Sequence, residues 1–153
     1  MERIPELFAP NLICVCIDEF SAQNCQGRLY TQYDAEPFPF LSLIDMTLQM
    51  DHFFDEWDFP QSSTIPRTFR KSVEFRRRQS ILESGRPMDH ARVYSQSGKT
   101  STFVIRVKYR QNATWQGEIV WLEESLHTSF RSALELLRIL QDALESSGSG
   151  EDA

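Results

Sequence analysis

The chain has 153 residues, 41% of them hydrophobic and 25% charged, with a net charge of −6. Those values suit one soluble globular domain and disfavour a dedicated nucleic-acid domain, which is usually basic. No apolar run approaches the roughly 18–20 residues of a membrane span, and the start MERIPELFAP lacks the basic end and apolar core of a secretory signal.

The elements follow in chain order. LICVCIDEF, beginning at Leu12, reads as a strand, SAQNCQG as a break, GRLYTQY as a second strand and DAEPFP as a loop. In FLSLIDMTLQMDHFFDEW, Phe40, Leu43, Ile44, Thr47, Met50, Phe54 and Trp57 recur at helical spacing. Residues 59–100 then lose periodicity and are punctuated by Pro60, Pro66, Gly85, Pro87 and Gly98. Ile65, Phe69, Val73 and Phe75 could strap this segment to a sheet, and KSVEFRRRQSIL could form a short helix.

Alternation returns in TFVIRVKYR, where Phe103, Ile105, Val107 and Tyr109 share one face. QNAT is a turn, WQGEIVWL a second strand and EESLHTS a polar connection. Ser129 is the expected N-cap of a helix over FRSALELLRILQDALE. Gln26-Gly27 and Gln116-Gly117 punctuate the two hairpins alike, ninety residues apart, and the helices stay in phase at that offset (Phe40 with Phe130, Ile44 with Leu134, Phe54 with Leu144). Each Gly is expected to occupy a positive-φ or bulged hairpin position.

The expected fold is α+β: two β-β-α repeats form a four-stranded, mostly antiparallel sheet with two helices on one face, related by a pseudo-twofold axis. Repeat 1 spans 12–58, a basic linker 59–100, repeat 2 spans 101–146, and 147–153 is a disordered tail. LICVCI is apolar on both parities, so the second sheet face needs a cover, either the middle segment or another copy of the protein.

Few motifs point to chemistry. SGKT at 97–100 resembles the end of a phosphate-binding loop, but Val93 stands where the pattern needs Gly, and a strand follows it. Cys14 and Cys16 share a strand face, and Cys25 lies near a turn. Three cysteines without an export signal read as reduced, buried thiols in a cytoplasm, and no metal or other cofactor is expected. His52, His90 and His127 form no recognisable catalytic order, and no catalytic residue is expected. The sequon at Asn112 has no meaning without export. Asp45, Asp51, Asp55, Glu56 and Asp58 read as a solvated helix face, part of which pairs with the basic linker.

Two features point to partners. The linker holds nine Lys/Arg against three acids, +6 in a chain of net −6. Within it Arg67, Arg70, Lys71, Arg76, Arg77 and Arg78 suit a polyanion or an acidic protein, with Phe69 and Phe75 available for stacking. Val104, Val120 and Leu122 fall on the parity opposite the helices, where a two-layer fold exposes them as an apolar interface.

The run RQNATWQGEIVWLEE followed by SFRSALELLRILQDAL resembles a family of small uncharacterised bacterial proteins with the signature RQN-x-x-WQG, W-x-E and FRS-x-LEL; DEWDFPQSSTIPRTF resembles the end of that family's first half. The resemblance implies a bacterial, cytosolic protein of two-unit shape and assigns no residue a role. The leading expectation is a non-enzymatic interaction or adaptor module that self-associates or meets a protein partner. A nucleic-acid-associated protein using the linker arginines stands second, and an enzyme with a site between the repeats third.

Overall fold

A computed structural model describes residues 6–21, 24–62, 69, 80–110 and 114–149. Among these residues six strands and four helices follow in the order β1 (Ile13–Ser21), β2 (Asn24–Thr31), β3 (Phe38–Phe40), α1 (Leu43–Trp57), α2 (Ile81–Ser84), α3 (His90–Tyr94), β4 (Ser101–Tyr109), β5 (Gln116–Trp121), β6 (Leu126–Phe130) and α4 (Ala133–Ser149). The strands form one antiparallel sheet ordered β3-β2-β1-β4-β5-β6.

This corrects the expected four strands and two helices. The two additional strands are the outermost ones, and their sequences hide them. β3 is only three residues, FPF, with a proline in the middle. In β6 only Phe130 is buried, so LHTS carries no alternation to detect. Both helices therefore start later than expected. Ser42 Oγ accepts from the Asp45 amide (3.0 Å) while Asp45 accepts from the Leu41 amide (3.0 Å). Ser132 and Glu135 repeat the arrangement, with the Glu135 and Arg131 amides donating at 3.0 Å each. Both resemble capping boxes, with the acid reaching the amide one residue before the cap serine. Ser129, the expected cap, lies instead in β6.

The helices also lie on both faces. α1 and α4 cover the face carrying Ile13, Val15, Ile17, Phe103, Ile105 and Ile119, and supply Met46, Met50, Phe54, Leu136, Leu140 and Leu144 to that core. On the opposite face Cys14, Cys16, Tyr30, Val104 and Val120 pack with Leu7, Leu12 and Val93. The N-terminal segment and α3 make that cover. The Leu7 amide donates to the Tyr94 hydroxyl (2.7 Å), Asn11 Nδ2 to the Val107 carbonyl (2.7 Å) and Gln32 Nε2 to the Ala9 carbonyl (2.6 Å), while the His90 ring stacks on Phe8 at 3.9 Å.

Registers coincide at an offset of ninety: Gly27 pairs with Phe40 and Gly117 with Phe130, and the register slips at Asp18 and again at Lys108. Neither Gly27 nor Gly117 has a positive φ. Their role is close approach beside the bulges. A Cβ on Gly27 would stand 2.0 Å from the Cys16 carbonyl oxygen, and one on Gly117 2.0 Å from that of Arg106.

Gly27→Ala and Gly117→Ala should therefore each cost about 3 kcal/mol or more in urea denaturation, because backbone must move. Gly85 has φ 69°, and none of the described residues lies within 4 Å of the point a Cβ would occupy there, so Gly85→Ala should cost only about 1 kcal/mol. Equal losses at all three sites would refute the close-approach account.

Candidate interaction surface

The expected sites are placed as follows. Arg67, Arg70, Lys71, Arg76, Arg77 and Arg78 lie outside the described residues. Val104 and Val120 are 0% exposed beneath the N-terminal segment and α3, and Leu122 is half-buried against the same cluster. The three do come together, as a core rather than an exposed face. Parity assigned them to one side of the sheet correctly but could not show that residues 7–12 and 93–94, distant in sequence, fold over it.

The acidic face of α1 is partly engaged. Asp51 and Asp55, one helical turn apart, both reach Arg110, whose Nη1 donates to Asp55 Oδ1 (2.6 Å) and Asp51 Oδ1 (3.3 Å). Arg110 Nε donates to the Pro60 carbonyl (2.6 Å) and the guanidinium lies over the Phe54 ring. A buried guanidinium held by two partly exposed carboxylates and a carbonyl is a structural tie between the sheet and α1. Its only mark in the sequence is its place as the first residue of RQN.

SGKT serves as a strap. Lys99 N–H and Thr100 Oγ1 donate to the carboxylate and carbonyl of the bulged Asp18, and Gly98 N–H donates to Thr102 Oγ1. Arg28 forks onto Asp18 (2.9 and 3.1 Å) and reaches the Tyr30 hydroxyl and the Ser97 carbonyl. Partial burial alone would raise the Asp18 carboxyl; the bonds from Arg28 and Lys99 outweigh it and hold the group below its ordinary value.

Cys14 and Cys16 bring their sulfurs within 3.8 Å. That contact and burial push the Cys14 thiol well above the usual range, while burial raises Cys25 to about 11. His52 lies 3.9 Å from Glu56, His90 3.0 Å from Glu6 and His127 3.7 Å from Glu118. Each histidine faces a different carboxylate on a different part of the fold.

The two ends of the sheet differ. At β3, Pro39 has no N–H, and its carbonyl accepts from Gln49 Nε2 (3.0 Å). Phe38 packs edge-on against Phe53 (4.8 Å), which stacks on Trp57 (5.6 Å). At β6 the residues ninety further on are small or aliphatic: Thr128 for Phe38, Ile139 for Gln49, Ala143 for Phe53 and Ser147 for Trp57. A cavity of about 230 Å³ opens there between β6 and α4, walled by Phe103, Ile119, Trp121, Leu126, Thr128 and Ile139. The Trp121 Nε1–H is buried beside it and has no hydrogen-bond partner among the described residues.

The β6 backbone is open as well. The Leu122 amide donates to the Thr102 carbonyl, so Leu122, Val120 and Glu118 bond toward β4 while Trp121, Ile119 and Gly117 bond toward β6. Their partners Leu126, Thr128 and Phe130 are thereby used, which turns the N–H and C=O groups of His127 and Ser129 to the outer edge. Among the described residues no strand pairs with that edge. β6 contains no Pro, Lys or Arg, the usual means of protecting an edge. Comparison with protein-family models, curated proteins and solved structures finds no match for this chain.

Val120→Asp should act on the fold and not on an interface. A carboxylate without a partner in the second core should lower stability by about 3 kcal/mol or more in urea denaturation. A change within about 0.5 kcal/mol, as at an exposed position, would restore the open-face picture.

Proposed function

We propose that this chain is a non-enzymatic protein-interaction module whose contact surface is the β6 edge together with the cavity beneath α4. The observation that carries the reading is the unequal treatment of the two sheet ends. Pro39 and Gln49 protect the β3 edge backbone, and the cleft of about 530 Å³ beside it is lined by charged and polar side chains (Asp34, Gln49, His52, Glu56, Arg86) as well as by Phe38, Phe53 and Trp57. The β6 end keeps outward backbone groups beside an apolar hollow. An added strand gains main-chain hydrogen bonds from such an edge, and alternate side chains find the hollow.

The shared offset of ninety supports reading the two halves as copies of one β-β-β-α unit, in which the second copy has kept its edge open. The free cysteines and the resemblance over RQN-x-x-WQG and FRS-x-LEL support a bacterial, cytoplasmic setting for the module.

A photoreactive side chain at position 126 tests the reading against the same group at Leu82, an exposed position on α2. In cells expressing the protein, position 126 should give a protein adduct of discrete mass and position 82 should not. No adduct at 126, or equal labelling at both, would defeat it.

A further inference from the structure

The partner strand can be specified further, on the strength of the interaction-module reading. We infer that the β6 edge is completed by β6 of a second copy of this chain, paired antiparallel about His127. The segment surrounding the edge, EESLHTSFR, is complementary to itself. Glu123, which accepts from the Thr102 amide, and Glu124 stand at one end of β6; at the other stands Arg131, paired within its own chain with Glu135 (3.0 Å) yet 87% exposed in its side chain. Antiparallel pairing brings the acidic turn of each copy to the arginine of the other, twice by symmetry. Parallel pairing would set like charges together.

Side-chain shape selects the register. Leu126 is 57% exposed on the α4 side of the sheet, the side on which the cavity opens beside Thr128. Centring the pair on His127 sets Leu126 of each copy opposite Thr128 of the other. Each leucine then reaches the hollow walled by Trp121, Ile119 and Ile139. The backbone agrees, because His127 is a residue whose N–H and C=O face outward. The two copies of His127 exchange a pair of main-chain hydrogen bonds, and Leu126 and Thr128 form the closer, non-hydrogen-bonded pair beside them. A register one step along would place Thr128 against Thr128 and leave the cavity facing a small side chain.

The test is the solution mass of the full purified chain by sedimentation, for wild type and Leu126→Arg, with circular dichroism confirming that the variant is folded. The inference expects a wild-type dimer that Leu126→Arg weakens about a hundredfold, since the leucine occurs twice in the interface. Mixed Leu126→Cys and Thr128→Cys chains should form a heterodimeric disulfide on mild oxidation, in preference to either homodimer. A wild-type monomer, a dimer indifferent to Leu126→Arg, or preferential Thr128→Cys homodimers would overturn it. The module reading fails separately: an adduct at position 126 to a different protein, with the purified chain monomeric, defeats the second copy and leaves the module.

Discussion

The antiparallel pairing of β1 with β4, running from Ile13 against Ile105 to Ile17 against Ser101, is the constraint on which the remaining structure depends. It joins two halves that each contain three strands and a long helix. Both strands are buried on both faces across this seam, so each face needs its own cover. α1 and α4 provide one. The N-terminal segment and α3 provide the other, tied down by Tyr94, Asn11 and Gln32. The basic segment between the halves therefore contributes to the fold at its C-terminal end, through Val93 and the strap at 97–100.

With the centre closed on both sides, what remains to meet a partner is the periphery. The same local geometry is used at both ends, with Gly27 and Gly117 opposite the aromatic rings that end the third strands. Side-chain choice then makes the ends unlike. Pro39 and Gln49 cap the backbone of one beside a broad, partly charged cleft, whereas Thr128, Ile139 and Ala143 leave an apolar hollow beside the uncapped backbone of the other. The functional proposal follows from that contrast, and the surface first suggested by parity, Val104 with Val120, becomes part of what holds the scaffold rigid.

Strands buried on one or both faces and helices with a continuous apolar stripe were legible in the sequence. β1, β2, β4, β5, α1 and α4 all carry such patterns. β3 and β6 do not, because an edge strand is half solvated and β6 buries a single side chain. The Gln-Gly pairs marked bulged positions, although the need for glycine comes from a carbonyl 2.0 Å from the missing Cβ and not from backbone φ. The candidate surface was hidden for the same reason as β6. Its features are outward amides and absent bulk, and neither leaves a motif. The cover on the second face was foreseen as a need of LICVCI, but which residues meet it depends on contacts spanning about ninety positions, such as Leu7 with Tyr94.

Native-state hydrogen exchange across the sheet tests this account most directly. The amides of Ile13 to Ile17 and Ser101 to Ile105 should exchange last and together, through global unfolding, because one doubly covered seam holds both halves. Separate exchange of the two halves, with the β1 and β4 amides opening before α1 and α4, would contradict it.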